Sequence, residues 1–446
     1  MRVHFIAIGG AAMHNLALAL HHKGYKVTGS DDEIKEPSLS RLRNAGLLPE
    51  KEGWFPEKLG DRPDAVILGM HARADNPELL AAKEMGLKVF SFPEYFYEQS
   101  KNKLRVVIGG SHGKTSITSM ILHVLKTSGK EFDYMVGSTV AGFDTMVRLT
   151  ESAPVIILEG DEYLSSPIDR RPKFHLYHAH IGLISGIAWD HINVFPTFEN
   201  YVEQFAVFAK GIPDKGSLIW FKEDIELQKI AASLPDAVKK ISYGAPEYKI
   251  ENGKTVVYAE GREYELQIFG KHNLCNLEGA REVCGLLGVT TDDFYRAAAT
   301  FTGAGRRLEL VKSEGTRTIY RDFAHSPSKL KATVAAVKEQ FPERKLVACM
   351  ELHTFSSLSE NFLNQYEGTM DDADVPVVYF NPQTIQHKKL NPISSEQVRL
   401  SFNNKNVVVF TNLIELRNYL ADAFGDKSVL LMMSSGTFDG MDLKAF

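Results

Sequence analysis

Short apolar runs alternate with segments of helical period along nearly the whole chain. Residues 3–8 and 25–30 read as strands, and 13–22 between them places its apolar residues at helical spacing. Further strand-like runs follow at 65–69 and 87–92. Strand, helix, strand in this order predicts a parallel sheet with helices on its faces. The pattern restarts at 104–108 and continues through 155–158 and 181–187, with helices expected at 198–209 and 276–287. A third set of runs lies at 345–350, 375–380, 407–410 and 429–433. Residues 243–268 break the rhythm: polar and apolar positions alternate around glycine turns at Gly253 and Gly261, which predicts an antiparallel appendage.

Two breaks divide these sets. A charged connector at 99–103 precedes the second, and Gly303-Ala-Gly-Arg-Arg307 opens the third. With 446 residues the chain exceeds what one hydrophobic core serves. The expectation is an α/β protein of three domains, 1–104, 105–300 and 301–446.

Charge narrows the ligands. The 51 basic and 56 acidic residues leave a net charge of −5, which argues against general nucleic-acid binding. Anionic ligands must then be met by local devices such as helix N-termini, a metal ion or single arginines. The three cysteines, Cys275, Cys284 and Cys349, lack the spacing of a metal or redox pair, which fits a reducing compartment. The chain starts directly on a strand without a secretory signal, and no apolar run reaches the ~20 residues that span a bilayer. A cytoplasmic protein without a membrane partner is expected.

The most telling stretch is Val107-Ile-Gly-Gly110-Ser-His-Gly-Lys114-Thr115-Ser116. A buried strand, a glycine-rich turn and a helix start in succession aim backbone N–H groups at one point, as a polyphosphate requires. Gly110, Ser111, His112, Gly113, Thr115 and Ser116 would line it, with Lys114 reaching the outer phosphates and the Thr115 hydroxyl on Mg2+. Ile108 stands where the usual motif has its first glycine, so by itself the turn also suits a structural strand–helix connection. Glu159 and Asp161 end the next buried run. A carboxylate there can hold Mg2+ against the β- and γ-phosphates, or simply face solvent. At the N-terminus, Gly9-Gly10-Ala11-Ala12-Met13 occupies the place of a dinucleotide fingerprint, and Asp31 lies where a ribose-binding acid belongs. Alone, this pair would weakly support a nicotinamide dehydrogenase.

Gly110-Ser-His-Gly-Lys-Thr115 resembles the compact phosphate loop of the Mur ligases, ATP-dependent enzymes that add amino acids or peptides to the peptidoglycan precursor. Gly9-Gly10, Glu159-Gly-Asp-Glu162, Asp190-His191, Lys271-His-Asn273, Arg306-Arg307 and Asp322 follow that family's landmarks in order. The resemblance implies a Rossmann-like N-terminal UDP-sugar domain, a central P-loop ATPase domain and a C-terminal Rossmann-like acceptor domain. It implies ATP and Mg2+ as cofactors, with Lys114, Glu159, His191 and Arg307 catalytic and Thr115, Glu159 and His191 around magnesium. Asn273 and Asn276 would contact adenine, Arg307 the γ-phosphate and Asp322 the ribose. Gly9, Gly10, Ala11, Met13, Ser30, Asp31 and His71 would hold the UDP-sugar, and His325 and His353 would face the acceptor. The family reaction activates the muramyl carboxylate as an acyl phosphate, which an amine then attacks.

Two branches of the family are close, one adding L-alanine to UDP-N-acetylmuramate and one adding the recycled tripeptide L-alanyl-γ-D-glutamyl-meso-diaminopimelate. Glu159 to Phe174, Asp322-Phe-Ala-His325-Ser-Pro327 and Ser434-Ser-Gly-Thr-Phe-Asp-Gly440 resemble the tripeptide branch. Glu351-Leu-His353-Thr354 departs from it and looks partly like the alanine branch, with Thr354 replacing an arginine for the alanine carboxylate. A site for a free amino acid should keep that cation, because an unpaired buried charge is costly. The expectation is therefore a tripeptide ligase of peptidoglycan recycling. The alternatives are an L-alanine ligase and, more distantly, a non-catalytic nucleotide-binding regulator.

Overall fold

The computed structural model describes residues 1–189, 194–251 and 253–446. Two compact units emerge: Met1–Gly244 with Asn276–Ala297, and Ala245–Cys275 with Ala298–Phe446.

The first unit holds two sheets. Strands β1 (Arg2–Ile6), β2 (Lys26–Ser30), β3 (Ala65–Leu68) and β4 (Val89–Ser91) form a parallel sheet in the order β2-β1-β3-β4. The chain turns from one side of β1 to the other between β2 and β3, and such a switch opens a crevice beyond the strand ends. β1 is shorter than its apolar run because Ala7 takes φ +69 and the N–H groups of Ala7 and Ile8 both turn onto the Ser30 carbonyl. The second sheet comprises β5 (Leu104–Gly109), β6 (Asp133–Met135), β7 (Val147–Arg148), β8 (Val155–Glu159), β9 (Ile181–Ile184), β10 (Ser217–Phe221) and β11 (Lys239–Tyr243). Its order, β11-β10-β9-β5-β8-β6-β7, places β5 between β8 and β9. Val106, Val107, Ile108, Ile156, Ile157 and Leu158 are wholly buried, as strands covered on both faces must be. The apolar run expected to 187 stops pairing at Ile184. Gly186 has φ +142, and the Ile187 N–H donates to Asp224 Oδ2 at 2.6 Å.

The second unit holds the antiparallel appendage and the last sheet. β12 (Tyr248–Glu251), β13 (Lys254–Ala259) and β14 (Arg262–Leu266) form the appendage. Thr255 Oγ1 ties it to Gln340 Oε1 at 3.0 Å, and Gln340 Nε2 donates to the Gly253 carbonyl at 2.7 Å. The last sheet contains β15 (Glu309–Glu314), β16 (Arg317–Asp322), β17 (Lys345–Glu351), β18 (Val375–Tyr379), β19 (Val408–Phe410) and β20 (Ser428–Met433), in the order β15-β16-β20-β17-β18-β19. Only β15 runs antiparallel to its neighbour.

Candidate active site

β5 feeds the glycine turn directly into the Lys114–Thr127 helix. Gly113 caps that helix in the left-handed region (φ +77), so no side chain blocks the first-turn N–H groups. A methyl on Gly113 would overlap the carboxamide of Asn276, which packs against the turn. The turn therefore needs glycine for two reasons, conformation and space. His112 Nδ1 lies 2.7 Å from the Ser111 carbonyl, and Ser116 is buried in the first helical turn.

The register of β5 against β8 sets Glu159 level with Ile108, one strand over from the turn. As a result Thr115 Oγ1 donates to Glu159 Oε1 at 2.7 Å, while the Gly137 N–H donates to Oε2 at 2.7 Å. Burial and the neighbouring Asp161 carboxylate push the Glu159 carboxyl up from its ordinary range, against Thr115, Gly137 and Lys114. Lys114 Nζ donates to the Gly110 carbonyl at 2.6 Å and pairs with Glu162 at 2.7 Å. Burial disfavours that ammonium, but Glu162, Asp161 and Glu159 outweigh it and raise its pKa. Asp161 is displaced the other way: burial opposes its charge, and Lys173 and Lys114 overcome that.

Some members of this cluster carry no motif. Tyr201, from the Phe198–Lys210 helix, donates to Glu162 Oε1 at 3.1 Å and lies 2.8 Å from Ser111 Oγ. Ser111 Oγ in turn accepts the Ala188 N–H at 2.9 Å. Ser185, just beyond β9, donates to the His112 carbonyl. Tyr201, Ser185 and Gly137 sit 22 to 90 residues from their partners and have no local pattern that could announce them. Asp190 and His191 lie outside the described residues.

Hard oxygen ligands on a hydroxyl and a carboxylate, beside a helix N-terminus, suit Mg2+. Among the described residues no group of three or more His, Cys, Asp and Glu converges as a self-sufficient metal site. Mg2+ characteristically takes only one or two carboxylates from the protein and completes its shell with phosphate oxygens and water.

At the first sheet, Asp31 Oδ2 accepts the Gly9 N–H at 2.7 Å and Oδ1 the Asp32 N–H at 3.0 Å. Asp31 thus fixes the glycine turn after β1. Burial, opposed by Gly9 and reinforced by Asp32, pushes its carboxyl up to about 6. Gly10 precedes the Ala11–His22 helix, whose first residue, Ala11, is exposed. Met13 and Ser30 are buried, and Lys58 Nζ donates to Ser30 Oγ at 3.1 Å. Their side chains serve the interior, so what they offer a ligand is backbone. His71 is exposed in the turn after β3.

In the second unit, Asp322 ends β16 with both carboxylate oxygens engaged by backbone: Leu308 N–H at 2.7 Å and Ala324 N–H at 2.7 Å. This holds the 303–308 turn, from which Arg307 lies over the Phe323 ring at 4.7 Å. His325 Nδ1 sits 2.7 Å from the Phe323 carbonyl, and Tyr366 donates to the His325 carbonyl at 2.6 Å. Asn273 Nδ2 donates to the Phe269 carbonyl at 3.0 Å. Glu351, at the end of β17, accepts from Ser434 Oγ and from the Phe438 N–H, and His353 Nδ1 lies 3.7 Å from its other oxygen. A cavity of about 480 Å3 opens beside Arg306, Asp322, Ser434 and Gly436.

These arrangements agree with three family profiles that match in succession. Residues 2–103 match the Mur ligase family catalytic domain, 108–284 the Mur ligase middle domain, and 306–436 the Mur ligase glutamate ligase domain. The chain belongs to the Mur ligase family. It is an ATP-dependent acid–amino-acid ligase of peptidoglycan synthesis, with the family's N-terminal, ATPase and C-terminal α/β domains. A UDP-N-acetylmuramate–L-alanine ligase of Lactobacillus delbrueckii subsp. bulgaricus is 28% identical over 437 residues, covering 94% of this chain and 93% of that one. The UDP-N-acetylmuramate–alanine ligase of Thermotoga maritima superposes with a TM-score of 0.72 at 21% identity, over 99% of this chain and 97% of that chain. The murein peptide ligase of Psychrobacter arcticus does so with a TM-score of 0.64 at 22% identity and the same coverage. Both solved structures share the fold. Among the described residues no helix is long and apolar enough to cross a membrane.

Proposed function

We propose that this Mur ligase joins L-alanine to the lactoyl carboxylate of UDP-N-acetylmuramate in the cytoplasm. The observation that carries the ligase chemistry is the convergence of Lys114, Thr115 and Glu159 at one helix N-terminus that no side chain caps. A carboxylate is a weak nucleophile toward a triphosphate, so the need is to neutralise charge rather than to remove a proton. Lys114 and the N–H groups of 110–115 hold the β- and γ-phosphates, with Arg307 assigned to the transferring group. Thr115 and Glu159 would hold Mg2+, which when bound draws charge from the phosphate oxygens. Gly9, Gly10 and Ala11, with Asp31 bracing the turn, receive the UDP diphosphate, and His71 faces the same crevice. Asn273, Asn276 and Asp322 are assigned to the nucleoside, and His325 and His353 to the acceptor. Residues 1–104, 105–300 and 301–446 are the corresponding domains.

L-alanine as acceptor is the activity named for the relatives that align over almost the full chain. The second reading is the tripeptide ligase. It is favoured by Thr354, whose hydroxyl and N–H are taken up by Ser357 at 2.9 Å and which offers no charge to an amino-acid carboxylate. ADP release from ATP and UDP-N-acetylmuramate, measured with L-alanine and with the tripeptide in parallel, decides between them. Turnover with alanine supports the first reading. Turnover with the tripeptide alone overturns it in favour of the second.

A further inference from the structure

Either acceptor carries a carboxylate, and residues 352–363 after β17 include no lysine or arginine. Thr354 and Ser357 close on each other in a small turn, with Ser357 N–H returning to Thr354 Oγ1 at 3.0 Å. Phe355, between them, is 60% exposed. Lys388 Nζ lies 4.2 Å from the centre of that ring.

The lysine reaches this place from the adjacent strand. β18 is the parallel neighbour of β17, and the Pro382–His387 helix begins just beyond its end. Lys388 caps that helix, its N–H donating to the Thr384 carbonyl. Asn381, which starts the helix, is anchored to Asp439 Oδ2 at 2.9 Å. Both groups therefore stand on the C-terminal edge of the sheet, where open α/β sheets bind ligands. Phe355 is two residues from His353. Among the described residues no carboxylate lies within ion-pair distance of Lys388. An exposed cation–π contact is weaker than a hydrogen bond between charged groups. A carboxylate ligand would outcompete the ring for the ammonium, or share it.

Resting on the ligase reading above, the geometry points to Lys388 as the residue that receives a carboxylate of the amine acceptor, with Phe355 as the apolar plate beneath it. Lys388 supplies in space the charge that position 354 lacks in sequence. It is a specificity-determining residue and takes no part in activating the muramyl carboxylate.

The test compares acid and amide acceptors: L-alanine with L-alaninamide, and the tripeptide with its carboxylates amidated. Rates of ADP release are measured for the full chain, Lys388→Gln, Lys388→Arg and the neighbouring control Lys389→Gln. Lys388→Gln is expected to raise KM for the carboxylate acceptor about ten- to a hundredfold. KM for ATP and UDP-N-acetylmuramate and the KM for the amide acceptor should stay within about twofold, a difference too small to represent a lost charged contact. Lys388→Arg should restore most of the loss, and Lys389→Gln should change little. Which acid responds identifies whether the carboxylate belongs to alanine or to the peptide. Equal effects on acid and amide, or no effect while the unaltered chain turns over, overturn the assignment alone. An unaltered chain that turns over with none of these acceptors overturns the ligase reading together with it.

Discussion

Glu159 sits where three demands meet: it takes the Thr115 hydroxyl, fixes the Gly137 N–H and bears a charge that burial opposes. Glu159→Gln keeps the shape and removes the charge. It should lower kcat by a hundredfold or more, on the order of 3 kcal/mol of lost electrostatic stabilisation. The melting temperature at neutral pH should hold or rise, because a carboxyl with a raised pKa weakens the folded state when ionised. A large fall in melting temperature would show instead that Glu159 is chiefly a fold residue. Asp31 allows the same argument to be made against pH. Burial pushes its carboxyl up to about 6 from an ordinary 3.8, so its stabilising contribution is complete below about 4 and lost as pH rises through about 6. Asp31→Asn should therefore gain stability relative to the native chain between pH 5 and 8, by about 1–2 kcal/mol. Thermal melts across that range check it. UDP-sugar affinity should fall at the same time, since the Gly9 turn loses a charged acceptor.

At the scale of elements, the phosphate loop works because a strand end, a glycine turn and a helix start are held by neighbours from elsewhere in the chain. Gly113→Ala forces a side chain into the left-handed region and against Asn276. It should cost about 1–3 kcal/mol of stability and abolish ADP release, as read by chemical denaturation and the coupled assay. Tyr201→Phe removes only the hydroxyl that joins Ser111 to Glu162. It should raise KM for ATP by about tenfold, roughly 1–1.5 kcal/mol for one buried hydrogen bond, with the fold unchanged. An unaltered KM would mean that Glu162 holds Lys114 without this brace. The glycine turn was legible in the sequence, because strand, glycines and helix start are contiguous. The Tyr201 brace was not, because only the packing of the Phe198–Lys210 helix brings it to a turn 90 residues earlier.

For the whole molecule, all three mainly parallel sheets place their functional residues at or beyond the C-terminal strand ends: Gly9 after β1, Gly110 after β5, and Asp322, Glu351 and Ser434 in the last sheet. A ligand that binds only the folded chain adds RT ln(1 + [L]/Kd), about 3 kcal/mol at a hundredfold excess over Kd. An ATP analogue with Mg2+ should thus raise the melting temperature by several degrees, and a chelator should remove most of that gain. A shift indifferent to the chelator would place the metal outside the nucleotide's hold. Alternation of apolar runs showed the α/β class and its three sets of strands, since a sheet covered on both faces writes itself as continuous apolar segments.

Local sequence determined what depends on neighbours along the chain: strands, the antiparallel appendage, the glycine turns and the family whose motifs they carry. From the stretches at 159–174, 322–327 and 434–440, together with the uncharged Thr354, it favoured a tripeptide acceptor, where the relatives that align over almost the full chain favour L-alanine. Tertiary structure alone decided which distant groups share a site. It set Glu159 beside Thr115 through strand register, turned Asp31 and Asp322 onto backbone N–H groups, and carried Lys388 across to Phe355. The reason is physical: a backbone turn is fixed by torsion angles of adjacent residues, but a charge finds its partner only after sheets have packed.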